Sequence, residues 1–435
     1  MKSDLNRRHF LKNTVLAGAA VWVAGSGKSG QCRSPNEKLN VGIVGSAHRG
    51  GANLKGVSGE NIVALCDVHE GYLEQAAKEH PKAKKYVDWR KLLDQKDIDA
   101  VVVSTTDHTH TPISVRAMRA GKHVYCEKPL GLSVQEARLM RETSRQCKVA
   151  TQQGTQVHVT ENFHRVAELI QSGAIGPVRE ARVWCTRQGA GGGRPQGDFP
   201  VPEELHWDLW LGPAPQRPYH PSYIPGCGKW NKFWDFGGGT LGDMGSHLID
   251  FPFSALGLKH PTTIEAEGTP VNPETCPEWL IVRWEHPAVG DRPPVRVVWY
   301  DGIKRPEAPR GVNLDDWHGI LFVGDKGTLW ANYGGYALIP LDDSKEFVPP
   351  KPTVPWGQAT QGHYDEWIRA CKTGSPTACN FQYAGLLIEH NMLGNVAYRL
   401  GRKITWDAQN MKAVDCPEAE QYIYRSYREG WELPG

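Results

Sequence analysis

Two short stretches of the chain carry side chains that could move a proton together. The triplet Glu127-Lys128-Pro129 follows the strand pattern His123 to Cys126. A lysine held at a strand's carboxyl end, with proline fixing the next φ and removing a backbone donor, is placed for chemistry or for a phosphate. The second stretch runs from Gly237 to Asp250, where a glycine run precedes Asp243 and His247. On a helix opening near Thr240 these two residues lie one turn apart and share a face. A carboxylate beside an imidazole fixes its tautomer and supports its charged form, which suits a base that removes a hydroxyl proton near neutral pH. Each residue alone has a plainer reading: Lys128 as an ion-pair partner of Glu127, Asp243 as an early-helix charge, His247 as a satisfied core histidine. Their presence together, beside the glycines that allow a ligand close, favours the chemical reading.

Such side chains need a scaffold, and a nucleotide-binding one precedes them. Lys38 to Gly45 reads as a buried strand ending in the loop Gly45-Ser46-Ala47-His48-Arg49-Gly50. The loop departs from the dinucleotide pattern G-x-G-x-x-G, because Ala47 stands at the middle glycine, where the backbone approaches a pyrophosphate most closely. Context supports it. Asn61 to Asp67 reads as a second strand, and Asp67 lies 22 positions beyond Gly45, near the roughly 20 expected for an acid that binds the ribose. A carboxylate there favours NAD over NADP, whose extra phosphate it would repel; the alternative is that Asp67 only caps the following helix. Val101 to Thr105 is a later parallel strand, and Thr105, Asp107, His108 and His110, just past its end, would lie along the cofactor with Glu127, Lys128 and Gln156. His108 and His110 alternate with no third partner in spacing, so they read as hydrogen-bonding loop residues and no metal site is expected.

Helices at Glu70 to His80 and Thr111 to Ala120 separate these strands, an alternation that gives a doubly wound parallel sheet. Gln152 to His158 reads as a further strand end aimed at the cleft, with His158 a substrate-contact candidate. Glu161 to Ser172 reads as an amphipathic helix. After it, Arg179 to Thr186, Thr263 to Gly268, Trp279 to Trp284, Val295 to Tyr300 and Gly319 to Gly324 read as strands without long helices between them, as a mainly antiparallel sheet requires. The glycine loop, Asp67, Asp107-His-Thr-His110 and Gly121-Lys-His-Val-Tyr-Cys-Glu-Lys-Pro129 together resemble the Gfo/Idh/MocA oxidoreductase family, and Asn380 to Ala384 and Leu393 to Ala397 extend the likeness. The resemblance implies an α/β chain with an N-terminal Rossmann domain (37–157) and a C-terminal α/β domain (158–435) built on a large open, mostly antiparallel sheet. It implies Lys128, Asp243 and His247 as the catalytic set, with hydride passing between nicotinamide and a hydroxyl carbon of a sugar, sugar derivative or polyol. Two rivals remain open: a glycoside hydrolase or lyase that uses NAD transiently, and a non-catalytic sugar-binding relative.

The chain's 435 residues exceed what one core usually serves. A net charge of +2 makes no case for nucleic acid. Residues 1–36 are expected to be an export signal and linker, since Asn6-Arg-Arg-His-Phe-Leu-Lys12 followed by the apolar run Thr14 to Ala24 has the layout of a twin-arginine (Tat) signal. That run is about half the roughly 20 residues that span a bilayer, so stable membrane insertion is not expected. Export through the Tat machinery to the periplasm removes the protein from free cytosolic nicotinamide, so its NAD is expected to be tightly held. The ten cysteines include no C-x-x-C pair. Sixteen tryptophans are unusually many, and those from Trp207 to Trp234 have two open readings. They could pack a loop-rich segment or stack on a sugar ring, Trp230 and Trp234 being the better ligand candidates because they precede Gly237. An open sheet face makes a homo-oligomer expected.

Overall fold

The computed structural model describes residues 37–187, 191–309, 312–341, 350–352 and 362–433. The twin-arginine stretch and its apolar run lie outside the described residues.

Six strands, β1 (Asn40–Val44), β2 (Asn61–Cys66), β3 (Lys84–Tyr86), β4 (Ala100–Val103), β5 (His123–Cys126) and β6 (Thr151–Gln153), make one sheet in the order β3-β2-β1-β4-β5-β6. All its pairings are parallel. The central strands β1 and β4 are runs of Val, Ile, Gly and Ala, buried throughout apart from Asn40, as strands covered on both faces must be. The strand order reverses between β1 and β4, and a ligand of such a sheet binds beyond the strand ends at that point. Gly45 follows β1 with φ +86°, and a Cβ there would lie 2.5 Å from the Ser104 carbonyl oxygen. Only glycine lets these two strand ends meet.

One helix differs from the sequence expectation. It runs from Asp107 to Arg119 rather than from Thr111, so Pro112, a residue suited to a first turn, sits in the second. Proline cannot donate to the His108 carbonyl one turn back; Arg425 Nη1 faces that oxygen at 3.5 Å. In consequence Asp107, His108 and His110 lie in a buried helix start and not on a loop.

Among the described residues nine strands form the second sheet: β7 (Val178–Cys185), β8 (Thr263–Gly268), β9 (Leu280–His286), β10 (Val295–Asp301), β11 (His318–Gly324), β12 (Gly327–Ala331), β13 (Tyr336–Pro340), β14 (Ile404–Asp407) and β15 (Lys412–Ala413). Their order is β13-β12-β11-β7-β10-β9-β8-β14-β15, and of these described strands only β7 and β10 pair in parallel. On its inner face Val282, Trp284 and His286 of β9 are buried, next to the helix Phe381–Leu400. Asn380 caps that helix, its side-chain oxygen accepting from Tyr383 N at 3.1 Å. The helix is buried almost all round because its other side meets the helix Val134–Cys147 of the nucleotide domain. Each side chain enclosed there, such as Leu387 or Ile388, contributes about 1.5–3 kcal/mol.

The helix His363–Thr373 comes from the range read as the substrate domain, yet it sets Trp367 and Cys371 against Val41, Ile43 and Tyr125 of the nucleotide domain. The two regions therefore share core. The outer face of the second sheet carries cross-strand charge pairs, Arg283 to Glu267 at 2.7 Å and Arg296 to Glu285 at 2.6 Å. No described helix is long and apolar enough to cross a membrane.

Candidate active site

A cavity of about 800 Å³ opens beyond the carboxyl ends of β1, β2, β4 and β5, a size usual for a small-molecule site. One end is made by the glycine loop. Gly45, Ala47, His48 and Arg49 line it, and Asp67 faces it from the end of β2. Gly50 has a different role: a Cβ on it would come 2.1 Å from the Gly45 carbonyl oxygen, so its smallness seats the helix Arg49–Gly56 on the loop. Ser46 is turned toward Asp67, donating from N and Oγ to Oδ2 at 2.9 and 3.0 Å, while His69 N donates to Oδ1 at 3.0 Å. His48 holds φ 51° and ψ −114°, a conformation uncommon outside glycine and found chiefly where function over-determines the backbone. Its ring meets Tyr72 edge-on at 5.4 Å, and Tyr72 stacks on His69 at 4.0 Å. These rings with Asp67 could receive a base and its ribose.

A segment of the second region folds over this end. Glu204 and His206 exchange backbone hydrogen bonds with Glu70 and Val68 at 2.8 and 2.9 Å, and side-chain pairs His69 to Glu204 at 3.2 Å and His206 to Glu70 at 2.7 Å flank them. Behind it Trp207 and Trp210 stack 4.6 Å apart and pack with Tyr219, Tyr223, Trp230, Phe233 and Phe236. The tryptophan cluster is therefore first a core for a segment with little regular structure, and Trp210, Tyr219 and Trp230 also reach the cavity. Trp234 does not line it. Its Nε1 donates to the Asn272 carbonyl at 3.1 Å and its ring lies 4.9 Å from the Arg399 guanidinium.

At the other end Lys128, Asp107 and His247 line the cavity. Lys128 Nζ donates to Asp243 Oδ1, and Arg187 Nη1 donates to Asp243 Oδ2 at 2.6 Å. The expected pairing of Asp243 with His247 is corrected by this arrangement: both residues lie on the helix Gly239–Leu248, but two cations take the carboxylate. Burial works against the Lys128 ammonium, yet Asp243, Asp107 and Glu127 outweigh it and push its pKa up. Burial also opposes the Asp243 carboxylate, and Lys128 and Arg187 outweigh it, holding that pKa below the usual range. For His247, burial reinforced by the Lys128 charge brings the pKa down to about 3, so the ring is neutral. Burial lifts the Asp107 carboxyl well above its ordinary value.

Glu127 links the two ends. It accepts from Arg49 Nε and Asn53 Nδ2, each at 3.0 Å, and from Gln156 Nε2 at 3.2 Å. Thr105, His110 and Gln156 line the cavity, and His110 spends its ring nitrogens on the Pro129 and Thr105 carbonyls at 2.7 and 3.1 Å. His108 lies behind the wall, its Nε2 against the Trp210 carbonyl at 2.9 Å. His158 is likewise withdrawn, buried and bonded to Asp250 at 2.8 Å, with Tyr383 on the same carboxylate. Arg187 was not singled out in the sequence, although it stands directly after the strand read as Arg179 to Thr186, and strand ends are where such sites collect residues.

Residues 39–159 match the family model described as an oxidoreductase family with an NAD-binding Rossmann fold, and residues 188–289 match the C-terminal alpha/beta domain of the same family. A glycosyl hydrolase family 109 protein of Saccharopolyspora erythraea is 32% identical over 204 residues, 40% of this chain and 44% of the relative. The myo-inositol 2-dehydrogenase of Thermotoga maritima is 29% identical over 145 residues, 33% of this chain and 43% of the relative. The chain thus spans less than half the length of each of these two relatives. Among solved structures, the WlbA dehydrogenase of Bordetella pertussis in complex with NADH and UDP-GlcNAcA shares the fold, with TM-score 0.63 and 16% identity over 86% of this chain and 98% of that one.

Proposed function

The chain belongs to the Gfo/Idh/MocA oxidoreductase family, and we propose that it interconverts a hydroxyl and a carbonyl carbon of a sugar, sugar derivative or polyol with NAD. The observation that carries the reading is one continuous cavity with the glycine loop and Asp67 at one end and Lys128 with His247 at the other. Its residues fit the dinucleotide. Gly45 supplies the tight turn and Gly50 the close helix seating such a loop needs, Ala47 standing where the backbone passes the pyrophosphate, and the Asp67 carboxylate opposes a 2′-phosphate. NAD, when bound, supplies the acceptor or donor of hydride.

The chain's own residues handle the oxygen and its proton. Lys128, held charged, donates to the carbinol or carbonyl oxygen and supports negative charge there. His247, held neutral, is available as the acceptor of the hydroxyl proton. Asp243 keeps the ammonium in place through a bond that leaves the other Nζ hydrogens free. The test is to denature the purified protein, identify the released nucleotide, and add candidate sugars to the intact protein while following the reduced-nicotinamide band. A nucleotide-free protein with no affinity for NAD would overturn the reading.

A second reading, a redox-neutral glycosidase that recycles its NAD, is favoured by the likeness to glycosyl hydrolase family 109 proteins. Release of an aglycone without net NADH would select it; stoichiometric NADH with the glycosidic bond intact would exclude it. The segment folded over the nucleotide end supports a cofactor that leaves slowly. The Arg7-Arg8 motif supports Tat export to the periplasm, tested by the N-terminus of periplasmic protein. The breadth of the open nine-stranded sheet supports a homo-oligomer, tested by light scattering.

A further inference from the structure

Pro202, Glu204 and Leu205 come from the second region, yet they line the nucleotide end of the cavity beside Asp67, Val68, His69 and Tyr72 of the first. They are brought there by one antiparallel bridge, His69 to Leu205, where β2 has ended and the helix Glu70–Glu79 begins. Glu70 N donates to the Glu204 carbonyl at 2.8 Å and His206 N to the Val68 carbonyl at 2.9 Å. His69 and Leu205 therefore face each other as a pair without a bond between them. The flanking pairs, His69 to Glu204 and His206 to Glu70, use glutamate side chains 56% and 54% exposed, so they add little.

The two sides of the bridge are held differently. Downstream the chain enters the helix Trp207–Leu211 and the aromatic core, in which Leu205 is itself buried. Upstream, residues 196–204 are exposed throughout, and the next firm anchor is Arg194, paired with Asp235 at 2.6 Å. Two backbone bonds and one leucine are a small hold for a segment that covers a site. Such segments open without unfolding the rest of the protein. Its place follows from Asp67: an acid ending the second strand receives the adenosine ribose, and the bridge lies two residues beyond it.

We propose that Pro202–His206 is a clasp of the dinucleotide site, closing over the adenosine end, and that its bridge to Val68–Glu70 must part before NAD can enter or leave. The clasp rests on the oxidoreductase reading for the identity of the nucleotide. It makes exchange of NAD depend on residues outside the nucleotide domain.

The experiment loads the full-length protein with radiolabelled NAD and follows the label retained during a chase with unlabelled NAD. His206 holds φ −79°, which proline also adopts, so His206→Pro removes the N–H that meets Val68 and keeps the chain path. Release is expected to quicken about 10-fold, the scale of a backbone hydrogen bond lost with its acceptor left unpaired. A second variant closes the bridge. Facing residues in such a pair lie about 4.5 Å apart at Cα, within disulfide reach, so His69→Cys combined with Leu205→Cys should cross-link on oxidation. Loaded and then oxidised, this protein is expected to keep its label through a chase that empties it after reduction; oxidised before loading, it should take up no NAD. Wild type carried through the same oxidation accounts for the native cysteines, of which Cys227 is exposed. Exchange as fast in the oxidised pair as in the reduced one overturns the clasp whether or not His206→Pro folds. So does a pair that will not oxidise, or an unchanged release rate in folded His206→Pro protein. Turnover of a sugar with NAD release indifferent to the cross-link would sink the clasp and leave the oxidoreductase reading standing. Retention governed by the cross-link, with no sugar changing nicotinamide absorbance, would do the reverse.

Discussion

At Asp243 and again at Glu389 a single carboxylate is held between two basic side chains, yet one cluster faces a cavity and the other is sealed. Asp243 is shared by Lys128 and Arg187, and the outer guanidinium is 45% exposed. Glu389 takes Arg138 through both oxygens, at 2.5 and 3.2 Å, and His260 at 3.1 Å, with Arg138 only 10% exposed and Glu389 1%. Both carboxylates are held below their ordinary pKa by their cations against the opposing effect of burial. Residue type and charge pairing therefore do not separate chemistry from architecture here. Access does: Lys128 keeps donors toward space a ligand can enter, while the Arg138 fork is spent bolting the Val134–Cys147 helix to the Phe381–Leu400 helix.

Two substitutions should break the likeness in opposite directions. Lys128→Ala removes the donor at the reacting oxygen and leaves Asp243 its Arg187 partner, so the turnover number should fall about 10²-fold or more with little change in unfolding free energy. Single-turnover absorbance and urea unfolding on the same preparation test both halves, and an unchanged rate would end the assignment. Glu389→Gln strands a buried Arg138 charge, and its expected cost is about 3–5 kcal/mol of stability. Turnover per folded molecule should stay within about two-fold, because Glu389 lies in the interhelix contact and not in the cavity wall. A loss of rate larger than the loss of folded protein would erase the contrast.

Histidines extend the comparison. Three in closed surroundings are held neutral just as the cavity-lining His247 is: burial brings His108, His363 and His390 to about 3 each. Because their folded pKa lies below the unfolded value near 6.5, the unfolded chain binds more protons below that pH. Stability is fully present above about pH 6.5 and falls as pH drops toward 3. At pH 5 each such ring should cost of order 2 kcal/mol relative to pH 7. His390 is the cleanest probe, since it stacks on Trp284 at 4.3 Å and on His286 at 5.2 Å, and its Nε2 has no hydrogen-bond partner. His390→Phe should lower neutral-pH stability by about 0.5–1.5 kcal/mol, the net worth of the lost Nδ1 bond to Asn391 Oδ1 at 3.1 Å, and flatten the acid limb by about 2 kcal/mol, read from urea midpoints at pH 5 and 7. An acid limb as steep as before would show that the ring is charged in the folded state.

The same distinction explains what the sequence could reveal. Strand spans β7 to β11 and the nucleotide domain were legible because buried parallel strands and alternating sheet strands write continuous or period-two apolar patterns. The Asp107 helix start was not, because Pro112 marks a helix opening four or five residues later than the chain takes it. Lys128, His247, Gly45 and Asp67 were legible from their places at strand ends and in a glycine run. The use of Asp243 was not, because helical spacing places two residues on one face without saying which third residue arrives from another strand. Arg187 is that residue, contributed from 56 positions away along the chain. His158 and His108 show the converse, since chemistry-capable types near the site are absorbed by Asp250 and by a backbone carbonyl.

The mildest test lies in Trp230 and Trp234, four positions apart and equal candidates by sequence. Trp230 is 7% exposed and lines the cavity, so Trp230→Phe trims a ring that faces the ligand while the smaller aromatic still fills most of the core space. Ring contacts beyond simple burial are worth about 0.5–1.5 kcal/mol, which corresponds to a rise in KM of about two- to ten-fold with kcat little altered. Trp234 spends its Nε1 on Asn272 and its face on Arg399, away from the cavity. Trp234→Phe should therefore leave KM within about 1.5-fold and lower stability by about 0.5–1.5 kcal/mol, the net worth of a lost hydrogen bond. The two variants differ only in which side of the wall they touch. If KM moves equally in both, access is not what separates ligand-facing residues from packing ones in this segment, and the contrast drawn at Asp243 and Glu389 loses its generality.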